Sequence, residues 1–359
     1  LLHATMQRCA TLGREAQPRM TLAILACLLA SQPVMEWMEG ETIVFQAPPG
    51  KGVWYPRLLT LPGGRMLCSY DTNLEGPTAV HLSLSEDGGR TWRHLARVSD
   101  RPGACANGHL AIHRRELLCA YRTVTPVRKT IELAASADDG KTWEHRATVA
   151  ASPAGVWEPF LQPNRDGSLD IYYASEDRPP QFIAARTSRD GGRTWSAERV
   201  IASHPASRDG MPGVAQRGAE RLVVFEAQDG APNPFHIRAV HLDTAPPDAH
   251  SRQQVYRPAS PSKYAGAPYA LFTRGVLLVS FQTDEDRPEN GLSHCVVKVV
   301  WSADFGRTWS APHTVFSAEG GTALWAGLGV DRQGHPLCVA SVQKPREGAA
   351  IVLRRGRVR

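Results

Sequence analysis

The chain has 359 residues with 31 glycines and 27 prolines, a size beyond one ordinary globular core and a Gly/Pro density that argues against long helices. Its formal charge of +6 sits at the two ends: residues 1–35 contribute +2 and the terminal LRRGRVR +4. The body is therefore near neutral, which leaves no electrostatic basis for a nucleic-acid partner, and the basic tail reads as a solvated end.

In chain order, the first feature is RMTLAILACLLASQ at 19–32, an arginine before a short apolar run and then small residues. This pattern predicts a leader over 1–35 and a mature body over 36–359, secreted or otherwise extracytoplasmic, with Cys27 as the modified residue if the leader is of the lipoprotein kind. The apolar run is too short to span a bilayer, so no stable membrane insertion is expected. Five cysteines remain in the body, Cys68, Cys105, Cys119, Cys295 and Cys338, without CxxC or Cys/His spacing. Neither a metal nor another cofactor is indicated.

From residue 41 onward the chain is repetitive. SEDGGRTW, SADDGKTW, SRDGGRTW and SADFGRTW begin at Ser85, Ser136, Ser188 and Ser302, at steps of 51, 52 and 114 residues. The shared Ser-x-Asp-x-Gly-x-Thr-Trp is turn chemistry: Asp holds backbone amides, Gly takes positive φ, and Trp pins the turn to a sheet. In phase with it run six pairs of strand-like segments, among them YPRLLTLPGGRMLCSYD, WEPFLQPNRDGSLDIYYASE and APYALFTRGVLLVSFQTDE. A period near fifty residues with four strands per unit predicts an all-β, six-bladed β-propeller. The fourth unit lacks the turn box. The sixth is short, and ETIVFQ at 41–46 is expected to supply its missing outer strand and close the ring.

Blade geometry puts the boxes on one face, and the starts of the first strands and ends of the second strands around the channel mouth on the other. Pro56, Pro159, Pro212 and Pro268 read as opening the innermost strands. The preceding residues are Tyr55, Glu158, Met211 and Ala267. Near the ends of the second strands the aligned residues read as Tyr70, Tyr121, Tyr173, Glu226 and Phe281, so unit four places an acid where the repeat places an aromatic. Two acids that break the repeat in neighbouring units and project from one face are a candidate catalytic pair. Glycoside cleavage needs such a pair, one carboxyl protonated and one ionised. Trp157, Pro159 and Phe160 favour Glu158 as acid/base and leave Glu226 as nucleophile. Tyr55, Arg57, Asp71, Asn107, Arg122, Glu176, Tyr264 and Trp325 are candidate sugar-binding residues at the mouth, with His109, Asp284, Glu285 and Asp286 nearby. An oligosaccharide or polysaccharide is the expected partner, and a monomer the expected state.

The boxes and the six-unit period resemble the sialidase superfamily over nearly the whole body. Within it, YPRLLTLPGGRMLCSYD, GVWEPFLQPNRDGSLDIYYASED, DGMPGVAQRGAERLVVFEAQ and AGAPYALFTRGVLLVSFQTDED look most like the exo-α-1,5-L-arabinanases of glycoside hydrolase family 93. The resemblance implies a secreted, metal-independent enzyme that releases arabinobiose from one end of arabinan with retention, its catalytic glutamates falling on Glu158 and Glu226. ALWAGLG and LRRGRVR, in the sixth unit, depart from that family's pattern. Two other readings stand beside it. A sialidase would need an arginine triad, an Asp acid and a tyrosine nucleophile, for which Tyr264 is available. A non-catalytic glycan-binding propeller would carry the same boxes.

Overall fold

Short apolar runs alternating with Gly- and Asp-rich turns become antiparallel strands throughout. The computed structural model describes residues 35–230, 232–242 and 251–359. Of the expected leader, only Met35 falls among them. The chain begins with β1 (Met35–Trp37) and β2 (Thr42–Gln46), and then lays down blades in order. Blade one is β3 (Val53–Thr60), β4 (Met66–Thr72), β5 (Ala79–Ser85) and β6 (Arg93–Arg97). Blade two is β7 (Ala104–His113), β8 (Glu116–Val124), β9 (Lys129–Ser136) and β10 (Glu144–Ser152). Blade three is β11 (Val156–Pro163), β12 (Leu169–Ser175), β13 (Phe182–Ser188) and β14 (Arg199–Ala202). Blade four is β15 (Ser207–Arg217), β16 (Glu220–Asp229), β17 (His236–His241) and β18 (Gln253–Tyr256). Blade five is β19 (Ala265–Thr273), β20 (Val276–Thr283), β21 (Val296–Ser302) and β22 (His313–Phe316). Blade six is β23 (Thr322–Val330), β24 (Pro336–Lys344) and β25 (Gly348–Val358), completed by β2 and β1 pairing along β25. The protein is a six-bladed β-propeller.

Closure is as expected for 41–46: Thr42 pairs with Leu353 and Gln46 with Ala350. The basic tail differs from expectation. It is not a solvated end but part of β25, where Arg354 pairs with Glu41 at 2.8 Å, Arg359 with Glu36 at 2.7 Å, and Arg355 donates to the Gly88 carbonyl at 2.8 Å. A strand edge with unpaired amides needs a partner, and the N-terminal strands supply it.

All four boxes fold alike between the third and fourth strands of their blades. In the first, Asp87 Oδ1 accepts from the Arg90 and Thr91 amides, each at 2.9 Å, Thr91 Oγ1 donates to Asp87 Oδ2 at 2.6 Å, and Trp92 Nε1 donates to the Gly89 carbonyl. Two successive residues take positive φ, and the second is always glycine: Gly89, Gly140, Gly192 and Gly306. In the fourth unit the link over 243–250 lies outside the described residues.

The innermost strands carry a second repeat that the sequence hid. Each is broken by a β-bulge. The bulged residue is left-handed in all six blades: Tyr55 (φ 51°), Asn107 (61°), Glu158 (45°), Met211 (53°), Ala267 (51°) and Trp325 (52°). The following prolines therefore sit inside bulges and do not open the strands, a place where a missing N–H costs no ladder bond. The register also corrects the alignment at Glu226. The residues pairing just before the bulges are Asp71, Arg122, Ala174, Glu226, Gln282 and Ser341. The aromatic of unit four is Phe225, one residue earlier. Glu226 does not replace an aromatic; it belongs to a mostly polar series. A one-residue slip exchanges the two faces of a strand, and unit four has no turn box to anchor the count.

Candidate functional site

The bulges and the polar series converge at the channel mouth. Of the bulged residues, Tyr55, Glu158, Met211 and Trp325 line the mouth cavity and Asn107 lies at the throat. A side chain of the polar series can then reach the bulge of the next blade: Asp71 accepts the Asn107 amide at 2.8 Å, Glu226 Oε2 the Ala267 amide at 2.8 Å, and Gln282 Oε1 the Trp325 amide at 2.7 Å. In blade three this position is Ala174, so no such latch occupies the space beside Glu158 and Met211.

A cavity of about 450 Å³ opens here, lined by Tyr55, Glu158, Met211, Glu226, Phe235, Tyr264, Gln282 and Trp325 among others. Both predicted acids face it. Tyr55 and Trp325 stack at 4.7 Å between ring centroids to form one wall. Tyr264 Oη accepts from Gln282 Nε2 at 2.9 Å. Gly266 is required below: a Cβ there would stand 2.1 Å from Tyr264 Oη and 2.6 Å from Glu226 Oε2. The tyrosine hydroxyl and the carboxylate thus share one bare patch of backbone.

Burial pushes the Glu158 carboxyl up to about 7; the Glu226 charge adds to this, while Arg122, Arg208 and the Met211 amide oppose it. Burial also raises Glu226, against the Ala267 amide and Arg208. A charge on Glu226 favours the protonated form of Glu158.

Beneath the cavity the channel is plugged. Arg57 donates to the Pro56 and Trp325 carbonyls at 2.8 and 3.1 Å and lies 5.0 Å over the Tyr269 ring. His109 packs against Phe160 with ring centroids 4.0 Å apart and sits 3.1 Å from the Tyr269 hydroxyl. Its Nδ1 accepts the Leu161 amide, and burial lowers its pKa to about 3, so it is neutral with the proton on Nε2. His109 is therefore part of the plug and not of the mouth. A separate cavity of about 570 Å³ opens below it on the box face.

The remaining candidates divide. Asn107 is buried at the throat with Glu158 and Arg57, and both its amide atoms lack protein partners. Asp71, pushed up to about 7 by burial against the Asn107 amide, Arg122 and Arg57, is a blade-to-blade latch. Arg122 lies 5.0 Å over the Trp157 ring, beside Glu158. Glu176 is not brought to the cavity; its carboxylate lies with the Trp157 indole over Gly155. Asp284 accepts the Tyr264 and Gly291 amides at 2.8 and 2.7 Å, and Glu285 and Asp286 pair with Lys298 at 2.8 and 2.6 Å. These three hold the loop under Tyr264. Sequence reasoning missed Gln282, which the correct register would have exposed, and also Arg208, Phe235 and Leu292, which follow no repeat. Among the described residues no group of three His, Cys, Asp or Glu side chains comes together to hold a metal.

No family model matches the chain. It is 25% identical over 299 residues to a sialidase of Micromonospora viridifaciens, an alignment covering 71% of this chain and 44% of that protein, so the chain spans less than half the length of this curated relative. Among solved structures it is similar to the Penicillium chrysogenum α-L-arabinanase complexed with arabinobiose, with a TM-score of 0.70, 20% identity, and 90% and 98% of the two chains covered. The GH93 α-L-arabinofuranosidase of Fusarium graminearum, also with arabinobiose, superposes with a TM-score of 0.70 at 21% identity, covering 88% and 98%. A Trypanosoma rangeli sialidase mutant gives a TM-score of 0.56 at 11% identity, covering 89% and 58%. At these identities the structural likenesses establish a shared fold.

Proposed function

We propose that the chain is a retaining glycoside hydrolase that works from one end of α-1,5-L-arabinan and releases arabinobiose, with Glu158 as acid/base and Glu226 as nucleophile. The observation that carries this is the pair of carboxyls on one cavity, with Glu158 raised by burial and by the charge of Glu226. Glu158 gives its proton to the glycosidic oxygen as Glu226 attacks the anomeric carbon; Glu158 then takes a proton from the water that releases the sugar. The plug of Arg57, His109, Phe160 and Tyr269 closes the channel below, and a blind cavity suits a chain end. Arabinobiose in the two solved neighbours supports the choice of sugar. Action outside the cytoplasm is part of the proposal and rests on the apolar run at 19–32.

A second reading has its own observation. Tyr264 Oη and Glu226 Oε2 lie together over Gly266, and sialidases use a tyrosine nucleophile. One assay separates the two: reducing sugar released from linear arabinan against sialic acid released from sialyllactose. Arabinan cleavage is expected, and cleavage of sialyllactose alone overturns the proposal. Glu226→Gln should fold and show no turnover. Glu226→Gly with azide should give an inverted glycosyl azide, whereas Glu158→Ala with azide and an activated aryl arabinoside should give a retained one. Glu158→Ala should lose about 10²–10⁴-fold on arabinan but little on the activated substrate. Full arabinan activity in both Gln variants removes the pair.

A further inference from the structure

We propose that a second cavity, beside the candidate active site at the junction of blades six and one, holds the part of a neutral glycan chain beyond the cleaved bond. The cavity is about 410 Å³, and Lys51, Trp54, Asn73, Trp325 and Gln343 line it. Trp325 also walls the catalytic cavity. A chain leaving Glu158 and Glu226 past the Tyr55–Trp325 stack therefore passes directly into this second space.

Its wall is preformed. The Trp54 ring lies against Gly52, where a Cβ would stand 2.1 Å from it. The segment around Gly52 is clamped from β4: Asn73 Oδ1 accepts the Gly52 amide at 2.8 Å, Thr72 Oγ1 donates to the Gly52 carbonyl at 2.8 Å, and Lys51 Nζ donates to the Asn73 carbonyl at 3.1 Å. Two indoles on a clamped frame give apolar platforms at little ordering cost. The lining contains no carboxylate, and its one cation, Lys51, is engaged. Asn73 Nδ2 and the Gln343 amide make no hydrogen bond among the described residues, which leaves neutral donors and acceptors beside aromatic faces. That combination fits a neutral polyhydroxylated chain, whereas an anionic glycan or a nucleotide calls for unengaged Lys or Arg.

This inference rests on the glycosidase reading, and its test tells the two apart. Calorimetric titration of arabinobiose and linear arabinohexaose into Glu226→Gln measures occupancy without turnover. Hexaose should bind about tenfold tighter than biose. Adding Trp54→Ala should abolish that gain and leave biose binding unchanged, while Trp54→Phe, which keeps an aromatic face, should retain most of it. In the otherwise wild-type chain, Trp54→Ala should lower kcat/KM on hexaose, which places four sugars beyond the cleaved bond, more than on triose, which places one. Hexaose binding no tighter than biose, or an equal gain in Trp54→Ala, overturns the subsite even if arabinan is cleaved. A Trp54-dependent gain without hydrolysis by the wild type supports the subsite and overturns the catalytic reading. Failure of either sugar to bind overturns the proposed occupant.

Discussion

Glu158 is held in a left-handed backbone, on a bulge, with its carboxyl on the cavity beside Tyr55, Met211 and Glu226. Strain and desolvation at one residue are what a tuned acid requires, and both cost stability. Its folded pKa of about 7 lies above the ordinary 4.5. Between those values the folded chain keeps a proton that the unfolded chain has lost, so this group's contribution falls as pH rises through the window. Glu158→Gln cannot ionise. It should be more stable than the parent at pH 8, by about 3 kcal/mol, with no gain at pH 4; urea midpoints at the two pH values measure it. The same ionisation should set the alkaline limb of kcat/KM near pH 7, and that limb should vanish for Glu158→Ala on an activated substrate.

At the scale of elements, the two repeats have opposite work. The boxes lie between third and fourth strands on the face away from the acids, and each is satisfied internally: Thr142 donates to Asp138 Oδ2 at 2.6 Å and Trp143 Nε1 to the Gly140 carbonyl at 3.0 Å. Gly140 itself packs against Leu82 and Leu117, so the turn is fitted between blades one and two. Trp143 is half-buried, and Trp143→Ala should lower stability by about 2 kcal/mol, below the full-burial range. The expected kcat/KM stays within twofold of the parent; a hundredfold loss with unchanged melting would place the box in the chemistry. The bulges, by contrast, aim side chains and so differ from blade to blade in everything but backbone.

For the whole molecule, ring closure depends on a strand from the opposite end of the chain. β2 covers the exposed edge of β25, Val44 joins the core, and Phe45 stacks on Tyr70 of blade one at 4.6 Å. Removing residues 1–34 leaves this closure intact, whereas removing 1–47 strips both β1 and β2 and bares a long edge. The first truncation should unfold cooperatively with the parent's midpoint. The second should aggregate or unfold at least ~10 °C lower, since losing several kcal/mol shifts the midpoint of a chain this size by that order. Equal midpoints would show that β2 is dispensable.

The sequence by itself determined the number of blades, the position of the boxes and the closing strand; it singled out Glu158 but read it at a strand start, where the structure has a bulge inside the strand. The first three are written in local chemistry: Asp and Gly in a turn, apolar alternation in a strand. Glu226 was found through an alignment that was one residue out, because a period of two cannot tell a residue from its neighbour once the turn that fixes the count is missing. Only the tertiary structure decided that register. It also decided that Asp71, Glu226 and Gln282 latch successive blades, that His109 plugs the channel, and that Glu176 lies off the cavity. These depend on contacts between residues tens to hundreds of positions apart, which no local pattern records.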